Sequence, residues 1–248
     1  MNTRQHESRF IIPGWAFGPE SLRGLADRLG GEVLDLPGIA LNGAGPARAR
    51  GISPWASGLL DRIPASAPHV TVIGWSLGAM IALEAAMAGA GRAWRLVLIA
   101  GSARFVAVGE GSPGVPERNL RAMMAGLARN REGAIQRFRD DCCRPAALDD
   151  ALRARLESLS RGWSGEELRA GLEYLMDADL RSGLAAMSAP ALVIHGTEDA
   201  VIPLAAGEAL ARALPRAELR TMPGAGHALP ILDPDRVADA ALPFLEMT

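Results

Sequence analysis

The stretch VTVIGWSLGAMIALEAA, residues 70–86, sets a serine between an apolar run suited to a buried strand and a second run suited to a helix. A glycine stands two positions to either side of it, in Gly74-Trp75-Ser76-Leu77-Gly78. A tight strand-to-helix turn brings the strand end so close to the first helical turn that side chains at those two positions would collide, and glycine removes the offending atoms. Ser76 is then held clear of the sheet edge with its hydroxyl exposed. The helix starts at about Leu77, and its free backbone N–H groups favour negative charge beside Ser76, which suits a tetrahedral oxyanion.

An unassisted hydroxyl is a poor nucleophile at neutral pH, so Ser76 needs a base. The chain has four histidines. His6 lies in a terminal segment, His69 introduces the strand before the turn, and His195 ends a later strand, where it reads as a structural residue. His227, in MPGAGHALP, follows the last strand in a glycine-rich loop able to carry an imidazole over the carboxyl edge of the sheet. It is the candidate base. The base in turn needs a carboxylate to fix its tautomer and stabilise the imidazolium. Asp199, in VIHGTEDAVIP, supplies it in the chain order Ser, Asp, His; its neighbour Glu198 is the alternative and reads as solvent-facing.

A second oxyanion donor is expected from the loop after the first strand, IIPGWAFGPE, where Trp15 follows Gly14. The backbone N–H of Trp15 would act beside that of Leu77, each such donor being worth about 10²–10³ in turnover. Trp15 also reads as an aromatic wall of the site, and the two roles are compatible.

Bringing these groups together requires strands that end at one edge. Six candidates, at about 9–13, 31–35, 69–74, 94–100, 190–195 and 217–222, alternate with helical patterns such as PESLRGLADRL, PWASGLLDRI and LGAMIALEAAMA. Strand and helix in alternation imply an α/β fold, a parallel sheet with helices on both faces. After Ala100 the rhythm breaks, and ERNLRAMMAGLARN, GAIQRFRDDCC and DDALRARLESL appear between Gly and Pro breaks. The chain therefore reads as one core formed by 1–100 and 183–248, with a helical insertion over 101–182. The closing helix, in DPDRVADAALPFLEM, has an Asp placed to cap it.

At 248 residues the chain can bury one sizeable core, and 49% hydrophobic with 22% charged residues is ordinary for a globular protein. A net charge of −2, with all 26 cationic residues arginine, provides no basic field for nucleic acid or a membrane surface. No apolar run approaches the roughly 18 residues of a membrane span and the start carries no targeting pattern, so a cytoplasmic location is expected. Cys142 and Cys143 are adjacent, which disfavours a disulfide between them, and they read as packed thiols.

In order along the chain, PGW, DLPG, GWSLG, HGTEDAVIP and GAGHA resemble the α/β-hydrolase superfamily. GWSLG with the upstream GW, together with GLEYLMDADLRSGLAAMSAPALVIHG, is similar to the BioH-type pimeloyl-[acyl-carrier protein] methyl ester esterases of biotin synthesis. The usual HG before the oxyanion loop reads Pro13-Gly14 here, and the short N-terminal segment implies a sheet shortened at one edge.

The resemblance implies an α/β-hydrolase fold with a helical lid, and ester hydrolysis through an acyl-enzyme. Ser76, His227 and Asp199 form the triad, the amides of Trp15 and Leu77 hold the oxyanion, and no metal or organic cofactor is called for. In the insertion Met123, Met124, Leu127 and Phe138 are candidates to line an acyl channel beside Trp15, or to be simply core. BioH-type enzymes meet an acidic carrier protein through a basic lid face. Residues 118–144 hold seven Arg against three acidic residues, with Arg121, Arg137 and Arg139 as docking candidates. The whole insertion is balanced at thirteen of each sign, so a solvated face stays open as the other reading. A general small-ester carboxylesterase or thioesterase, and a hydrolase-like receptor for a small ligand, are the alternatives to the pimeloyl ester.

Overall fold

The computed structural model describes residues 8–38, 51–89, 91–160 and 162–247; His6 lies outside them. Among the described residues six strands form one sheet: β1 (Ser8–Ile12), β2 (Glu32–Val33), β3 (His69–Trp75), β4 (Ala93–Ile99), β5 (Ala191–Gly196) and β6 (Ala217–Met222). Their order is β2-β1-β3-β4-β5-β6 and every neighbouring pair is parallel. This is the α/β architecture and strand set read from the sequence. β2 is shorter than expected because it lies at the edge and pairs only with β1, at Glu32 and Val33.

Side chains alternate across the sheet, as the two-residue strand period requires. Phe10, Ile12, Val70, Val72, Leu96, Leu98 and Val193 face one core, where Trp55, Leu59, Ile81, Leu83 and Leu210 pack on them. Ile11, Ile73, Val97, Ile99, Leu192 and Ile194 face the other, against Leu22, Leu25, Val237, Ala241 and Phe244. The first layer is made by α2 (Pro54–Arg62), α3 (Leu77–Ala88) and α8 (Leu204–Ala213), the second by α1 (Arg23–Leu29) and α9 (Pro234–Glu246). Asp233 caps α9 as expected, its side chain accepting from the Arg236 amide.

The chain leaves β1 toward β2 and then returns to build β3 on the opposite side. Connections from β1 and β3 thus diverge, and a crevice forms above the carboxyl ends of these two neighbours. Register fixes how close they are: Ile12 lies opposite Gly74, and Trp75 opposite Ile99 of β4.

Between β4 and β5 come α4 (Glu117–Arg129), α5 (Arg131–Cys143), α6 (Asp150–Leu159) and α7 (Gly165–Asp177). Asn130 ends α4 and caps α5 through the Gly133 amide, and Asp149 caps α6. α7 is a helix beyond the three that the patterns of the insertion predict. Its start carries a full capping box, Ser164 accepting from the Glu167 amide and Glu167 from the Ser164 amide. Cys142 and Cys143 are both buried and unpaired.

Candidate active site

Ser76 occupies the single residue between β3 and α3, with φ 56° and ψ −116°. A non-glycine residue in that region carries about 1–3 kcal/mol of strain, which its surroundings must hold in place. They do so from both sides: the Ser76 amide donates to the Ile99 carbonyl at 2.9 Å, and its carbonyl accepts from Ala79 at 3.0 Å. The two glycines are needed for different reasons. A Cβ at Gly74 would lie 2.4 Å from the Gly78 carbonyl oxygen, across the turn as expected. A Cβ at Gly78 would instead meet the end of β1, 2.4 Å from the Ile12 oxygen and 2.6 Å from that of Pro13.

The loops after β5 and β6 are stitched together above the same edge. Thr197 donates to the Met222 carbonyl and Glu198 to that of Ala225, both at 3.0 Å. Gly196 lets these loops approach, since a Cβ there would stand 2.2 Å from the Ala225 oxygen. His227 is thereby presented with Nε2 2.9 Å from Ser76 Oγ and Nδ1 2.8 Å from Asp199 Oδ2. Its carbonyl accepts from the Trp75 indole at 2.9 Å. The carboxylate that meets it is Asp199; Glu198 is exposed.

Asp199 Oδ1 accepts from the amides of Val201 and Ile202, each at 2.8 Å. Burial alone would push this carboxyl up, but the imidazoles of His227 and His195 outweigh it and hold it well below the usual carboxylate range. The arrangement is a buried relay able to draw a proton from a hydroxyl and stabilise the resulting imidazolium.

The backbone of Gly14 lies against Ser76, where a Cβ would be 3.2 Å from the serine Cβ. Beyond it the chain turns at Ala16, which adopts a left-handed φ of 62° that no sequence feature announced. Leu77 opens α3, so its amide has no helical partner. Neither the Leu77 nor the Trp15 amide donates to a backbone carbonyl among the described residues.

A cavity of about 370 Å³ opens over Ser76. Trp15, Met123 and Phe138 line it as the sequence suggested, and Trp15 stacks edge-on against Phe138 at 4.9 Å. Leu127 does not line it: that side chain packs, half-buried, into the core. Phe105 from the segment after β4, Leu120 of α4, and Leu172 and Leu175 of α7 add to the apolar wall; they reach it only through the packing of the insertion over the sheet, which no local sequence pattern encodes. Asn119, Arg137 and Asp141 add polar groups.

The three arginines differ. Arg121 is exposed and paired with Glu117 one turn away at 2.8 Å. Arg137 borders the cavity. Arg139 corrects the expectation of a surface cation: it is 6% exposed and turned to Glu132, 3.3 Å away. On α5, Ala134, Arg137, Phe138 and Asp141 share the cavity face at helical spacing, and a residue two positions from Arg137 points elsewhere.

Among the described residues no group of three or more His, Cys, Asp or Glu side chains converges to hold a metal ion. No helix among them is long and apolar enough to cross a membrane.

Residues 10–240 match the model of the alpha/beta hydrolase family. A pimeloyl-[acyl-carrier protein] methyl ester esterase from Aromatoleum aromaticum is 33% identical over 228 residues, covering 88% of this chain and 90% of that protein. One of the same name from Methylococcus capsulatus is 35% identical, covering 82% and 80%. Among solved structures, the esterase EaEST from Exiguobacterium antarcticum superposes with a TM-score of 0.79 at 18% identity, over 97% of this chain and 92% of that one. A bromoperoxidase from Bacillus anthracis does so with 0.80 at 18%, over 98% and 93%. At such identities the two structures speak for the fold. Sheet order, the strained serine between β3 and α3, and relatives above 30% identity over most of their length agree: the chain belongs to the alpha/beta hydrolase family and is one of its carboxylic ester hydrolases.

Proposed function

We propose that this hydrolase cleaves pimeloyl-[acyl-carrier protein] methyl ester in biotin synthesis, in the cytoplasm, with Ser76 as nucleophile. The observation that carries the catalytic part is the unbroken contact from Ser76 Oγ through His227 to Asp199, at 2.9 and 2.8 Å, at the floor of an apolar cavity. Ser76 Oγ attacks the ester carbonyl as His227 Nε2 takes its proton. The amides of Trp15 and Leu77 receive the oxyanion. Collapse breaks the bond to the alkoxide, which leaves as methanol with the proton from His227. Water, deprotonated by the same imidazole, then releases the acid from Ser76.

Residues 101–182 act as a lid whose helices supply most of the cavity wall. That wall suits a methylene chain. The names of the relatives support a carrier-linked substrate, and Arg137 beside the cavity offers positive charge to an acidic carrier, whereas Arg121, though exposed, is paired with Glu117.

The test compares hydrolysis of the carrier-linked methyl ester with that of a free methyl ester, alongside growth of a biotin-requiring strain that lacks its own esterase. Preference for the carrier-linked ester and restored growth are expected. Equal rates and no growth would instead make this a general small-ester carboxylesterase.

A further inference from the structure

The site contains a second imidazole that the reaction above does not use. His195 is the penultimate residue of β5, with its side chain wholly buried. Its Nε2 lies 3.0 Å from the Ile202 carbonyl oxygen and 3.4 Å from Asp199 Oδ2. Both are acceptors, so the ring proton is assigned to Nε2, where it bonds the Ile202 carbonyl and lies beside Asp199 Oδ2. The other ring nitrogen, Nδ1, is buried with no partner among the described residues. The ring is seated tightly on Gly207 of α8, where a Cβ would come within 2.4 Å of Nδ1.

The peptide groups show what this bond controls. Ile202 gives its amide to Asp199 Oδ1 and its carbonyl to His195. The turn from Asp199 to Ile202 is therefore tied on one side to the carboxylate and on the other to the end of β5. Oδ2, the oxygen that faces His227, has His195 as its second neighbour. If the position served packing alone, an apolar side chain would fill it without an idle nitrogen in the core.

We propose that His195 is a positioning residue that aims Asp199 at His227, by giving its Nε2–H to the Ile202 carbonyl and standing beside Asp199 Oδ2. This rests on the triad reading of Ser76, His227 and Asp199. It carries a specific corollary: only Nε2 matters, so a glutamine, whose amide nitrogen can stand where Nε2 stands, replaces the histidine, and a methionine of similar length does not.

The experiment measures kcat and KM of the full chain and of His195→Gln, His195→Met and Ser76→Ala on one short ester, per folded protein judged by circular dichroism. The Met variant is expected to lose about ten- to a hundredfold in kcat with KM nearly unchanged, a loss confined to the chemical step. The Gln variant is expected within about threefold of the parent. Wild-type kcat in His195→Met, or equal losses in Met and Gln, overturns the proposal. Should the Met variant not fold, His195→Asn, whose amide falls short of the Nε2 position, is expected to show the same loss, and wild-type turnover there is equally contrary. The Ser76→Ala control separates the two readings: turnover surviving in it overturns the triad itself, whereas a dead Ser76→Ala beside an unaffected His195→Met removes only the role of His195.

Discussion

The indole N–H of Trp15 donates to the carbonyl of Leu168 at 2.7 Å, tying the loop after β1 to α7. Two more bonds join the same loop to the insertion: the Trp163 indole, ahead of α7, donates to the Phe17 carbonyl at 3.1 Å, and the Gly18 amide donates to the carbonyl of Leu159, the last residue of α6, at 2.8 Å. Gly171 leaves room for the Trp15 ring, which a Cβ there would meet at 2.5 Å. The loop proposed to hold the oxyanion is thus fastened to the helices above it.

Trp163→Phe keeps one aromatic ring but removes the rest of the buried indole with its N–H, leaving the Phe17 carbonyl without its partner. A buried acceptor left unpaired costs about 1–3 kcal/mol, which urea unfolding would register. If the oxyanion donors depend on this tie, kcat should fall about tenfold while KM changes little. A stability loss with unchanged kcat would mean that the tie is structural only.

The depressed Asp199 carboxyl fixes a direction in pH. A carboxyl held below its unfolded value, about 3.9, stabilises the fold above that pH and loses the contribution as pH falls toward its folded value. The stability difference between the parent and Asp199→Asn should therefore be constant above about pH 5 and shrink in more acid solution. Turnover of the variant should be down about 10⁴-fold, since the amide no longer secures the imidazole. Acid-unfolding curves and initial rates check the two halves.

Burial, with Asp199 second, raises the Cys142 thiol, and burial with Asp140 pushes Cys143 up to about 11. Neither is a thiolate near pH 7.5, and both are inaccessible. Iodoacetamide at about that pH should leave activity intact in the native chain and label both residues only after denaturation.

Met123 and Leu127 lie one helical turn apart on α4 and both pack against the core, but of the two only Met123 also lines the cavity. Met123→Ala should change the dependence of kcat/KM on acyl length. Leu127→Ala should leave that dependence alone and lower stability, by less than the 2–5 kcal/mol of a fully buried Leu→Ala because the site is half-buried. A chain-length series on both variants, with unfolding curves, distinguishes them.

How much of this was legible in the chain follows from the range of the interactions. The alternation in β3 and β4, the glycines around Ser76 and the glycine-rich loop of His227 are local patterns with local causes, and the sheet and the meeting of Ser76, His227 and Asp199 followed from them. α7 was missed although Ser164 and Glu167 form a readable capping box. Arg139 was misplaced because counting charges along a segment ignores the face each one takes. Leu172 and Phe105 at the cavity, and the left-handed Ala16, are consequences of tertiary packing that no local pattern encodes.

The most direct measurement is the pre-steady-state release of nitrophenol from a short acyl ester by the parent and by Ser76→Ala. A burst close to one equivalent per chain, absent from the variant, is the expected result, since the acyl group should be retained on Ser76. A burst of the same size in Ser76→Ala would contradict a nucleophile at this position.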